Sequence, residues 1–290
     1  MMEPGPSIFP QAPRIVVIGD IHGDLERLVA LLKAASIVDD QFRWVAQPPE
    51  TCVVQMGDQI DSRVRDGELG WERTADVQVL FFMDQLDKEA RAHGGRVISL
   101  LGNHEVMNVF GNMDFVSPHS MALLGGPSLR AATFKVGGVI CEKYLAHRPV
   151  VLRVGDIVFC HAGLLPEHLT HIGRGGIDAI NALMRRTLLG QPWASAGERD
   201  LFHELFVGQE SILWTRRLLV AEGQEHAKAA LAGLGAQMMV VGHNVMTEGV
   251  TATPDHAIWF VDTGISRVFG GGRCQALDIR GRQISVINGG

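Results

Sequence analysis

The chain has only four cysteines in 290 residues, no dense block of basic residues, and no apolar run long enough to cross a bilayer. Each shortage removes a class of function. Cys52, Cys141, Cys160 and Cys274 lie far apart with no CxxC pair, which leaves neither a disulfide framework nor a zinc knuckle. Cys52 and Cys160 sit inside apolar runs, so the expectation is reduced thiols in a cytoplasmic protein. A formal net charge of −6 without a basic stripe argues against sequence-independent binding to nucleic acid. A membrane span needs about 20 consecutive apolar residues, so no membrane partner is expected. The opening MMEPGPSIFPQAP has neither a basic n-region nor an apolar h-region. It reads as a flexible leader over residues 1–13. Internal repeats and low-complexity tracts are also missing.

What is present is ordinary globular composition, 46% hydrophobic and 20% charged. Short β-branched runs recur, each ending in a polar residue. RIVVIGD closes on Asp20, TCVVQMGD on Asp58, RVISLLGN on Asn103, DIVFCH on His161 and AQMMVVGH on His243. Runs this short and apolar are expected to be strands buried on both faces. LERLVALLKAA (25–35) and ADVQVLFFMDQLDKEARA (75–92) carry apolar residues at helical spacing. The alternation implies an α/β fold. Residues 164–235 are mostly helical and read as an insertion in a single domain spanning 14–290. From residue 249 the chain reads as hairpin-connected strands, with the GGG at 270–272 as a turn, since no helix follows it to make a phosphate cradle.

The strand ends carry the chemistry. In open α/β sheets, ligands collect at the carboxyl ends of strands. Asp20, Asp58, Asn103, His161 and His243 can therefore converge, and His22 joins them two residues after Asp20. Six oxygen and nitrogen donors exceed what one catalytic zinc uses. They suit two metal ions roughly 3.5–4 Å apart, joined by a bridging carboxylate, with a bridging water acidified into a nucleophile. Without thiolate ligands the expected metals are Mn first, then Fe or Zn.

GDIHGD (19–24), GDQID (57–61), GNHE (102–105), His161 and GH (242–243) resemble the calcineurin-like metallophosphoesterases, and within them the phosphoprotein phosphatases. The strings GNHEVMN, HAGLLPEH, VVGHNV and VDTGISRVFGG are similar to those of the Shewanella-like protein phosphatases of bacteria, plants and protists. The resemblance implies a four-layer αββα sandwich of two mixed β-sheets flanked by helices. It implies that Asp20 and His22 hold one metal, that Asp58 bridges, and that Asn103, His161 and His243 hold the other. It makes His104 the general acid and Asp61 its orienting partner. The implied activity is hydrolysis of phosphorylated Ser or Thr, with Tyr also open, in proteins. A diadenosine polyphosphate hydrolase, a phosphodiesterase, or an inactive phosphate-binding regulatory protein would carry much of the same pattern.

The chain departs from the family at one phosphate-binding position. GDxxDRG is expected, but the string here is GDQIDSRVRDGE, with Ser62 in place of the arginine. Arg63 is the expected substitute and Arg65 the second choice. Another phosphate contact is expected from Arg216 in LWTRR. The stretch 113–126 is a candidate lid, His119 and His147 are candidate substrate contacts, and Glu105 is expected only to stabilise a helix N-terminus.

Overall fold

A computed structural model describes residues 6–65, 71 and 73–290. Strands β1 (Ile8–Phe9), β2 (Ile15–Ile18), β3 (Cys52–Gln55), β4 (Arg96–Ser99), β5 (Val151–Val154), β6 (Ile157–Cys160), β7 (Met238–Val241), β8 (Thr251–Ala252), β9 (Ile258–Phe260), β10 (Gln275–Arg280) and β11 (Gln283–Asn288) build two sheets. One has the order β11-β10-β2-β3-β4, the other β1-β5-β6-β7-β9-β8. β2–β3–β4 and β6–β7–β9 pair in parallel, whereas β10 pairs antiparallel with β2 and β5 antiparallel with β6. Both sheets are therefore mixed.

Helices α1 (Leu25–Ala34), α2 (Val77–Ala92), α3 (Asn103–Val109), α4 (Pro118–Leu123), α5 (Pro127–Phe134), α6 (Pro166–Ile172), α7 (Gly176–Leu188), α8 (Ala196–Phe206) and α9 (Ala221–Leu234) connect the strands. None among the described residues is long and apolar enough to cross a membrane.

Strand side chains alternate between two apolar layers, as the pleat requires. Ile15, Val17, Cys52 and Val54 face Leu152, Val154, Phe159 and Val240 across the gap between the sheets. Val16, Ile18, Val53 and Val97 point the other way, onto Leu28, Leu31 and Leu32 of α1 and Met83 and Leu86 of α2. Val151, Val158, Met239 and Val241 pack outward on α7, α8 and α9. The result is the four-layer αββα sandwich. It explains why the strand sequences are apolar at every position rather than at every second one.

The segment between β6 and β7 carries α6 to α9 and shares one apolar cluster with the second sheet. The leader differs from its expected form. Ile8–Phe9 pairs in parallel with β5, and the Arg153 and Gly155 N–H groups donate to Ser7 and Phe9 carbonyls. An unpaired edge on β5 recruits this stretch into the sheet. Residues 1–5 of the expected leader lie outside the described residues. The 249–290 region forms the β8–β9 and β10–β11 hairpins.

Candidate active site

Because β2, β3 and β4 run parallel, their carboxyl ends deliver Asp20, Asp58 and Asn103 to one rim of the first sheet. Parallel β6, β7 and β9 deliver His161, His243 and Asp262 to a rim of the second. The two rims meet: the His243 N–H lies 3.1 Å from Asp20 Oδ2, and His161 Nδ1 lies 2.8 Å from the Met56 carbonyl. Within the first rim, two glycines let the loops after β3 and β4 close on each other. A Cβ on Gly102 would stand 2.1 Å from Asp58 Oδ1, and Gly57, at φ +96°, would drive one into the Gly102 backbone.

Asp58 lies at the centre. Donor atoms of His22, Asp58 and His104 lie within 4.8 Å of one another, and so do those of Asp58, His161 and His243. One carboxylate thus serves both sets. The donors fit a pair of divalent ions for a second reason. His22 Nδ1 is 3.1 Å from the Ile60 carbonyl, His161 Nδ1 2.8 Å from that of Met56, and His243 Nε2 3.2 Å from that of Trp214. Anchoring one ring nitrogen on a carbonyl fixes the tautomer and turns the other toward a metal. Asn103 Oδ1 sits 2.9 Å from His161 Nε2, so this neutral oxygen shares that position.

His104 differs in its partner. Its Nδ1 is 2.7 Å from Asp61 Oδ2, a carboxylate instead of a carbonyl. Its backbone N–H donates to Asp58 Oδ1 at 2.9 Å, which ties the ring to the central carboxylate. Burial disfavours the imidazolium, but Asp58 and Asp61 outweigh it and raise the His104 pKa.

The carboxylates and imidazoles of the cluster shift one another strongly. Burial alone would protonate Asp58, yet His161, His104 and His22 hold it well below the usual carboxylate range. Burial opposes charge on His161 too, but Asp58 and Asp20 lift it to about 10. Asp20 is raised by burial and then by Asp262, which burial raises to about 6. His243 falls to about 3 through burial and the neighbouring His161.

The backbone pays for this convergence in strain. His22 (φ 42°), Asp58 (φ 50°), Asp61 (φ 70°) and His243 (φ 65°) are all in the left-handed region. Such residues cost about 1–3 kcal/mol each and persist where their surroundings over-determine them. Here each N–H is bonded: His22 to the Asp58 carbonyl, Asp58 to Glu105, Asp61 to Asp76 and His243 to Asp20.

Glu105 does more than stabilise a helix end. Its carboxylate accepts from Gly102, Asp58 and Gln59 at 2.8–2.9 Å, clamping the β3 and β4 loops together. Asp262 was not among the expected residues. It follows an apolar run and, like His161, has no preceding glycine.

Arg63 and Arg65 differ in what they touch. Arg63 is exposed, and Nη1 donates to the Asp114 carbonyl at 2.8 Å while its N–H donates to Phe115. Arg65 lies against His104 instead. Its guanidinium lies between the Phe115 and Phe269 rings, 4.8 and 4.7 Å from their centroids, and Nη2 is 3.4 Å from His104 Nε2. Ser62 fills a small polar niche beside Ser117 and Ser120. Arg216 is at the rim, with Nη1 2.5 Å from Asn244 Oδ1, next to His243. The stretch 113–126 carries the phenyl ring and the serines that pack on this loop, so it is a wall of the site.

Residues 13–246 match the calcineurin-like phosphoesterase family. The chain belongs to that family. Shewanella-like protein phosphatase 2 of Arabidopsis thaliana is 26% identical, over 94% of this chain and 76% of its own length. Shewanella-like protein phosphatase 1 of Plasmodium berghei is 26% identical, over 87% of this chain and 67% of its own. The crystal structure of a cold-active protein-tyrosine phosphatase from a psychrophilic Shewanella sp. superposes with a TM-score of 0.79 at 25% identity, covering 98% of this chain and 80% of that one. This phosphoesterase is a phosphoester hydrolase, and its two mixed sheets flanked by helices are the family's architecture.

Proposed function

We propose that this phosphoesterase removes phosphate from phosphorylated side chains of proteins, with phosphotyrosine tested beside phosphoserine and phosphothreonine. The observation that carries the reading is the single carboxylate, Asp58, shared by the pairs His22–His104 and His161–His243, with His104 also held on a second carboxylate, Asp61. Asp20, His22 and Asp58 would hold one ion, and Asp58, Asn103, His161 and His243 the other. Oxygen and imidazole donors favour manganese, with iron or zinc able to replace it. When bound, such a pair supplies Lewis-acid polarisation of the phosphoryl oxygens and an acidified water as nucleophile.

The remaining steps belong to the chain's own groups. Arg65 reaches the phosphoryl oxygens from between its two phenyl rings, with Arg216 opposite, and the two offset the charge spread over those oxygens. Packing between Phe115 and Phe269 restricts the Arg65 side chain before substrate arrives, so little rotamer freedom is lost on binding. His104 holds a proton on Nε2 for the departing oxygen, while Asp61 fixes Nδ1. The two relatives named as protein phosphatases and the tyrosine phosphatase of the Shewanella sp. support a phosphoprotein substrate.

Manganese-loaded protein assayed on phosphotyrosine, phosphoserine and phosphothreonine peptides, a diadenosine polyphosphate and a bis-aryl phosphodiester tests this. Higher kcat/KM on at least one phosphopeptide than on the other two esters is expected. Preference for the dinucleotide or the diester would overturn it.

A further inference from the structure

Behind the Asp61–His104 pair lies a buried network that none of the metal-binding or phosphate-binding roles uses. Arg130 of α5 is fully buried, its guanidinium 4.7 Å from the Phe134 ring. Nη1 and Nη2 donate to the two oxygens of Asp76 at 2.9 and 3.0 Å, a bidentate pair. Nε donates to Asn108 Oδ1 at 2.8 Å, and Nη2 also lies 3.4 Å from Asp61 Oδ1.

Asp61 is held by this network at every point except one. Asn108 Nδ2 donates to its Oδ1 at 2.8 Å, and Asp76 Oδ2 accepts its backbone N–H at 2.9 Å. Both of those partners are in turn fixed by Arg130. The contact left over is Oδ2 to His104 Nδ1. Asn108 also donates to the His104 carbonyl at 3.0 Å, so it links both members of the pair. Asp61 is in the left-handed backbone region, a conformation that needs external restraint.

We propose that Arg130 is a positioning residue for the reaction: through Asp76 and Asn108 it fixes the carboxylate that aims His104 at the leaving oxygen. Arg130 touches no substrate. It sets the orientation of a group that does, which gives α5 a part in proton delivery. The inference rests on His104 acting as the general acid, and the test separates the two claims.

Leaving-group dependence provides the readout. Phenyl phosphate needs a proton on its departing oxygen, whereas 2,4-dinitrophenyl phosphate departs as an anion without one. Removing Arg130 alone leaves two buried carboxylates without their counter-charge, which is strongly destabilising. The charge-balanced double variant Arg130→Met with Asp76→Asn avoids this, and Asn108→Ala gives a second, milder probe of the same network. His104→Asn is the reference. For both network variants kcat on phenyl phosphate is expected to fall about 10- to 100-fold, part of what a general acid contributes, while the dinitrophenyl ester changes less than about threefold. KM and metal content stay near those of the parent. Equal losses on the two esters, or no loss on either, would overturn the positioning role if His104→Asn does separate them. If His104→Asn fails to separate them, the acid assignment itself falls.

Discussion

Replacing Glu105 by glutamine tests how the site is held together. The carboxylate accepts from Gly102 and Asp58 on Oε2 and from Gln59 on Oε1, with the Ile60 N–H 3.4 Å away. A glutamine keeps one acceptor oxygen and turns an amide N–H₂ toward the remaining donors. One or two buried N–H groups are then left unpaired, at about 1–3 kcal/mol each. Some of this is recovered, because burial and the nearby Asp58 already oppose ionisation of Glu105 and raise its pKa. A net loss of about 2 kcal/mol is expected, a large part of the ~5–15 kcal/mol that holds a domain folded. Urea unfolding of the metal-free protein reads the loss without interference from metal binding. With m of about 3 kcal/mol/M the midpoint should fall by roughly 0.7 M. The Asp58 loop is also freed, so affinity for manganese should drop in a titration of the same variant. A variant with the parent's midpoint and the parent's metal affinity would refute the clamp.

Other expectations follow from the same geometry. His104→Asn should lower kcat by about 10²–10⁴-fold with metal content unchanged; metal loss would make His104 a ligand instead. Arg65→Ala should raise KM for a phosphate ester about 10- to 100-fold, the worth of a charge-assisted hydrogen bond, whereas Arg63→Ala should change it less than about twofold. The reverse ranking would restore Arg63 to the phosphate. Burial raises the thiols of Cys52 and Cys141 to about 12, and it raises Cys160 further still. Since the thiolate is the reactive form, native protein at pH 8 should resist iodoacetamide at all three, and become labelled only on unfolding.

The candidate ligands stand out in the sequence because all but His22 close an apolar strand run, and a carboxylate, amide or imidazole stands out against Val and Ile. The pairing of strands is poorly legible there. Strand ends such as Asp20 and His243 meet across the two sheets although 223 positions separate them, and no local pattern encodes that contact. The two-sheet sandwich came from family resemblance; the apolar runs alone gave only α/β. The choice between Arg63 and Arg65 is illegible for a related reason. Which of two nearby arginines enters the site depends on Phe115 and Phe269, which come from distant parts of the chain. Arg130, Asp76 and Asn108 were invisible because ordinary helix residues give no sign of meeting in one buried network. Ile8–Phe9 is indistinguishable from a leader in sequence because two residues are too few to show strand periodicity.

Metal stoichiometry tests the central claim most directly. Protein loaded with manganese, freed of excess metal and measured by elemental analysis should carry two ions per chain, and Asp58→Ala should lose both together because each histidine set depends on that carboxylate. An Asp58→Ala protein that still holds two ions, or a parent that binds only one, would contradict the account.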